Sequence, residues 1–132
     1  MAGGAPVPVV CAIIERACRF LAAQRAAHES NALLWEFPGG KVKKGETARA
    51  ALARELQEEL GIEIAVISAC PPRVYSYPHI AIELMPFVCA ISKGEPQARE
   101  HAALEWVTAA EAKKLSWAPA DIPILQDYLK NL

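Results

Sequence analysis

Three glutamates in one stretch of helix-forming sequence carry the clearest chemical signal in this chain. Glu55, Glu58 and Glu59 lie in ARAALARELQEEL, which runs from Ala48 to Leu60. At about 100° per residue they share an arc of roughly 100°, beside a similar arc holding Leu52, Leu56 and Leu60. The leucines would anchor such a helix to a core, and the glutamates would line the edge of that contact. A solvated acidic face is the commonest use of this pattern. Two features argue for more. Glutamates three and four apart repel, and no Lys or Arg stands one turn C-terminal to offset them. A hard divalent cation, Mg²⁺ or Mn²⁺, removes that repulsion and prefers carboxylate oxygens as ligands. Upstream, Pro38-Gly39-Gly40 offers exposed carbonyls that can add a ligand.

The helix that carries these groups is well marked. Thr47 is placed to cap its N-terminus, the alanine-rich run has high propensity, and Gly61 supplies the stop. Ahead of it, residues 7–15 and 18–24 read as a hairpin turned at Arg16-Ala17, the first strand apolar enough to be covered on both faces. Residues 26–33 form a polar loop, 35–37 a short strand, Pro38-Gly39-Gly40 a turn, and 41–45 a basic loop in which Lys43 and Lys44 are solvated. After the helix, strands are expected at 63–70, 73–77, 79–91 and 104–107, with Pro86 marking a bulge or edge position. Thr108 to Glu111 is a capping box opening a helix of about two turns, and a last helix runs from Ile122 or Pro123 to Leu129. The order β-β-β-α-β-β-β-β-α-α predicts one α+β domain over residues 1–132, with helices packed on a mixed sheet.

Composition narrows the field. With 53% apolar and 22% charged residues in 132, the chain has the balance of a globular protein. A net charge of −1 supplies no basic field for a nucleic acid polymer, while small anionic ligands stay open. No apolar run approaches the roughly 20 residues of a membrane span. The start, MAGGAPVPVV, has no basic segment ahead of its apolar stretch, so no secretory leader is expected. Cys11, Cys18, Cys70 and Cys89 are widely separated, lack metal spacing and lie in apolar surroundings. They read as buried thiols of a cytoplasmic protein, with one disulfide left open. No P-loop or Gly-x-Gly-x-x-Gly is present.

Gly40, five residues, Glu46, seven residues, then Arg54-Glu55-Leu56-Gln57-Glu58-Glu59-Leu60-Gly61-Ile62 resembles the complete Nudix box without a gap. The flank Glu36-Phe37-Pro38-Gly39-Gly40-Lys41 is similar to the MutT branch, whose members hydrolyse nucleoside triphosphates. So are the spacing of Arg25 to Glu36, Glu100 ahead of Glu105-Trp106, and Pro119-Ala120 ahead of the last helix. The resemblance implies the Nudix fold, a mixed sheet sandwiched between helices (α/β/α). It implies Mg²⁺, with Mn²⁺ as substitute, held by Glu55, Glu58 and Glu59 with the Gly39 or Gly40 carbonyl. It further implies an ion pair of Arg54 with Glu46 that orients Glu55, and a water displacing at the β-phosphorus to give nucleoside monophosphate and pyrophosphate. Glu100, otherwise a solvated loop residue, becomes a further ligand or the general base, with Glu55 the other candidate, and a mobile loop suits gating.

On the substrate side, the resemblance places Arg25 near the nucleotide, and Lys41 can pair with a phosphate. Phe37, Tyr75, Tyr77 and Ile80 or Ile82 can line a slot for a base, although core packing explains each equally well. His28 and His101 read as loop histidines, and His79 as a strand residue with a satisfied hydrogen bond. Asp121 stands where the MutT pattern has an asparagine, but a helix N-cap is its more ordinary use. An ionised Asp only accepts hydrogen bonds, so it favours donor-rich base edges such as a cytosine amino group or guanine N1–H and N2–H. Both 8-oxo-dGTP and cytidine triphosphates stay open. The expected partner is a small nucleoside triphosphate rather than a polymer or a membrane, with the chain a monomer or homodimer. Other readings are hydrolysis of a dinucleoside polyphosphate or nucleotide sugar, or a non-catalytic nucleotide-binding module, which would tend to lose the box carboxylates that are intact here.

Overall fold

The two longest strands, β1 (Val7–Arg16) and β7 (Ala81–Lys93), run parallel at the centre of the sheet, from Val7 opposite Ile82 to Ile14 opposite Cys89. The architecture comes from a computed structural model describing residues 4–132. The first three residues, part of the start read as carrying no leader, lie outside the described residues. Because side chains alternate along a strand, β1 serves two cores. Val10, Ala12 and Ile14 pack with Leu52, Leu56 and Leu60 of α1 (Ala48–Leu60), while Cys11 and Ile13 pack with Ile124 and Leu125 of α3 (Asp121–Lys130). A helix thus covers each face of a mixed sheet, the α/β/α arrangement expected.

The hairpin to β2 (Arg19–Gln24) turns one residue later than expected, at Ala17 and Cys18, both left-handed with φ of 51° and 62°. A two-residue turn with both centres left-handed matches the strand twist, and neither residue is the Gly or Asn that would have announced it. β2 also pairs with β3 (Trp35–Glu36) and β8 (Ala103–Val107).

Pro38-Gly39-Gly40 is not the expected turn. Gly39–Lys41 forms an eighth strand, β4, antiparallel to β1 with Cys11 opposite Gly39. The backbones approach so closely that a Cβ on Gly39 would lie 2.7 Å from Cys11 Cα. Non-local pairing overrode the local turn signal.

α1 is closed as read: the Thr47 hydroxyl accepts from the Ala50 N–H at 3.1 Å, and Gly61 sits at φ 69° with its N–H on the Gln57 carbonyl. β5 (Glu63–Ala69) and β6 (Arg73–Ser76) share one edge of β7 in succession. Pro86 lies where one gives way to the other. Its carbonyl takes the Cys70 N–H at 2.9 Å, and its nitrogen, with no hydrogen to donate, faces the gap.

Four further readings change. α2 (Ala109–Ala112) is a single turn behind its capping box, and β7 begins after His79 and Ile80, leaving His79 exposed in a loop. The residue capping α3 is Ala120, without a side-chain bond, so Asp121 is not the N-cap. The thiols are all free, but only Cys11 and Cys89 are buried; Cys70 is half-buried and Cys18 is exposed at the hairpin turn. Among the described residues no helix is long and apolar enough to cross a membrane.

Candidate active site

The carboxylates of α1 are graded across its edge, Glu58 half exposed, Glu55 mostly covered and Glu59 buried. Arg54 organises them. Its guanidinium grips Glu46 through two bonds of 2.7 and 2.9 Å, donates to Glu55 Oε2 at 2.8 Å and to the Lys41 carbonyl at 3.1 Å, and lies 3.5 Å from Glu58. With Arg54 beside it and the Lys43 N–H bonded to it, Glu46 is held down at about 2. Part of the repulsion expected among the glutamates is therefore met from the N-terminal side. Glu59 lies beyond that reach. Its Oε1 is buried with no hydrogen-bond partner, and burial, then the adjoining Glu55, pushes the group far above the ordinary carboxylate range.

An orphaned carboxylate oxygen beside a second carboxylate fits a hard cation. Gly40 fits it too, since a Cβ there would fall 2.5 and 2.6 Å from the two Glu55 oxygens. Among the described residues no three His, Cys, Asp or Glu side chains converge closely enough to hold a metal ion by themselves. An open edge suits Mg²⁺, which keeps several waters and is commonly held by one or two carboxylates and substrate phosphates.

The loop bearing Glu100 is docked rather than free. Its Gln97 and Arg99 N–H groups donate to the Leu60 and Glu59 carbonyls at 3.0 and 3.3 Å, and the Arg99 side chain donates to the Gln57 carbonyl at 3.0 Å. Glu100 itself is exposed, and its charge adds to the upward push on Glu59. His101, read from sequence as a loop histidine, turns inward to Glu36.

A cavity of about 520 Å³ adjoins this edge. Arg25, Phe37, Lys41, Tyr77, Ile80 and Asp121, the six residues singled out for substrate, all line it. Gly39 and Gly40 are both in the lining, and Gly40 forms the wall it shares with Glu55. Ile82 is in the lining, whereas Tyr75 packs behind Tyr77 with ring centres 4.8 Å apart. Arg25 donates to Glu36 and to the Ser30 carbonyl, each at 2.7 Å.

Asp121 Oδ2 accepts the Phe37 N–H at 2.8 Å, and burial, then the charge of Glu36, pushes its carboxyl up to about 8. Protonated, it can donate as well as accept. Sequence reasoning also passed over Glu36 and His101. The Arg25–Glu36 spacing was a signal for the first; the second had none, because its partners come from β3 and α1.

The chain belongs to the Nudix family: the NUDIX domain matches residues 5–128, and the protein is a Nudix hydrolase. It is 44% identical to the CTP pyrophosphohydrolase of Escherichia coli K12 over 93% of this chain and 91% of that one. To the 8-oxo-dGTP diphosphatase of the same strain it is 36% identical over 75% of each chain. The solution structure of the E. coli ORF135 protein superposes with a TM-score of 0.82 at 43% identity, covering 94% of this chain and 89% of that one. Nudix hydrolases use divalent metal and act on small-molecule nucleotides.

Proposed function

We propose that the chain hydrolyses a nucleoside triphosphate to the monophosphate and pyrophosphate, clearing oxidised or modified nucleotides such as 8-oxo-dGTP or cytidine triphosphates. One observation carries this reading: the cavity and the carboxylate edge share the wall at Gly40, so a base in the first puts its phosphates at the second. Glu55, Glu58, Glu59 and Glu100, with the Gly39 or Gly40 carbonyl, would hold Mg²⁺ or its substitute Mn²⁺. The metal, when bound, supplies charge neutralisation at the phosphates and activation of water. Arg54, fixed by Glu46, orients Glu55. Lys41 and Arg25 stand where phosphate or ribose would pass, and Phe37, Tyr77 and Ile80 flank the base.

For the base, the protonated Asp121 offers a donor and an acceptor as an asparagine does, which supports an oxidised guanine. The likeness to a CTP pyrophosphohydrolase supports cytidine. A net charge of −1 gives no basic field for a polymer, which supports free nucleotides as substrates; the proposal has the chain work in the cytoplasm, as monomer or homodimer. Pyrophosphate release from a nucleotide panel with Mg²⁺ tests the reading. Glu58→Gln should lower kcat about 10²-fold or more. Absence of metal-dependent release from every nucleotide, or full activity in that variant, would overturn it. Comparing the pH–rate profiles of Glu55→Gln and Glu100→Gln shows which carboxylate takes the proton, by which variant loses the acidic limb.

A further inference from the structure

Glu36 and Glu59 come from different elements, β3 and α1, and one imidazole lies between them. His101 Nε2 is 2.9 Å from Glu36 Oε2 and 3.8 Å from Glu59 Oε1, and its side chain is 6% exposed. Glu36 is held on both oxygens, since its Oε1 takes Arg25 at 2.7 Å. It therefore fixes the imidazole, with Nε2–H donating to the carboxylate. The backbone fixes it as well: on one side the Arg99 N–H bonds the Glu59 carbonyl, and on the other the Ala102 N–H bonds the Gln24 carbonyl at 2.8 Å. The Glu59 oxygen nearest the ring is the one left without a partner. Remove the ring, and Glu59 gains room to rotate away from the edge it shares with Glu55.

We propose that His101 is a positioning residue: it braces the Glu59 carboxylate against the Arg25-anchored Glu36 and ties the Glu100 loop to β3. This rests on the assignment of Glu59 to the metal edge. Partners one layer behind metal ligands commonly contribute about 10- to 100-fold in metal affinity or activity, and His101 occupies that layer.

The test is Mn²⁺ binding to the nucleotide-free protein, read from the free-ion electron paramagnetic resonance signal, alongside kcat and KM. His101→Ala should weaken Mn²⁺ binding about tenfold and lower kcat by a similar factor. KM should change less than kcat, because His101 itself does not line the base cavity. His101→Gln, whose side-chain amide can donate near the Nε2 position, should recover most of both losses. Glu36→Gln added to His101→Ala should weaken Mn²⁺ binding little further, because both act through one contact. Unfolding curves keep every measurement below the melting range of each variant. His101→Ala binding Mn²⁺ as tightly as the native chain, or His101→Gln failing to recover what His101→Ala lost, overturns the proposal. If Glu59→Gln loses Mn²⁺ while His101→Ala keeps it, only the role of His101 falls. If the native chain binds no Mn²⁺, the metal edge falls with it.

Discussion

Exchanging Asp121 for Asn keeps the shape of the side chain and removes its proton equilibrium. The amide oxygen can still accept the Phe37 N–H that Oδ2 accepts at 2.8 Å. The native carboxyl titrates near 3.8 when unfolded and at about 8 when folded, raised by burial and then by Glu36. Between those values the native state holds a proton that the unfolded state has lost, so stability falls as pH rises through the window. Each pH unit costs about 1.4 kcal/mol at most. From about pH 5 to about pH 7.5 the ceiling is therefore near 3.4 kcal/mol, and relaxation around the site brings the expected loss to about 2–3 kcal/mol. The Asn variant does not share that loss. Urea unfolding of both proteins with metal chelated gives the difference directly, and the other buried carboxylates cancel because both chains carry them. The two should be about equally stable near pH 5, with Asn ahead by about 2–3 kcal/mol near pH 7.5, or roughly 6–15 °C in melting temperature. Parallel stability profiles from pH 5 to 8 would refute the claim that Asp121 is buried with its proton. Relative rates among bases should match in the two proteins near pH 6 and part above about pH 8, where the native carboxyl ionises and Asn does not; preferences that stay alike there would remove Asp121 as a base reader.

Neighbouring glycines should fail in different ways. Gly40→Ala drives a Cβ into the Glu55 carboxylate, so kcat should fall about tenfold or more with the melting temperature nearly kept. Gly39→Ala meets the backbone of β1 and should cost about 1–3 kcal/mol of stability in urea; equal stability would contradict the β1–β4 pairing. Glu46, held at about 2 by Arg54, contributes stability that is present above its unfolded value of 4.5 and lost as pH falls toward 2. Glu46→Gln should flatten that acid limb, and unfolding curves between about pH 2.5 and pH 5 check it. Among the thiols, Cys18 alone is exposed, while burial pushes Cys89 up to about 12 and Cys11 well above its ordinary value. A chromogenic disulfide should therefore modify one thiol fast, and Cys18→Ser should abolish that phase; a fast phase surviving in Cys18→Ser contradicts the burial.

Legibility followed sequence distance. α1 could be read almost to the residue because its cap, its leucine stripe and its Gly61 stop are all local signals. β4 could not: Gly-Gly is a turn on local evidence, and only the approach of β1 makes it a strand. Asp121 before a helix looks like a cap, yet its carboxyl is taken by a backbone N–H 84 positions away. His101 finds Glu36 across 65 positions, with no pattern in the chain to suggest it.

The site divides along the same line. Its reactive edge is written on one helix, where spacing alone places Arg54, Glu55, Glu58 and Glu59 in register. Its base cavity is assembled from β1, β4, β7, the loops after β2 and β6, and the start of α3, so its properties depend on long-range burial that spacing does not encode. Residues 35–41 touch both halves, since Glu36 meets His101, the Phe37 N–H meets Asp121, and Gly40 meets Glu55. A displacement of this stretch would disturb base and metal ends together, whereas a change at Asp121 alone leaves the carboxylate edge in place. Base preference can therefore be altered at Asp121 without rebuilding the reaction, and substitutions at 36–40 should move KM and kcat jointly.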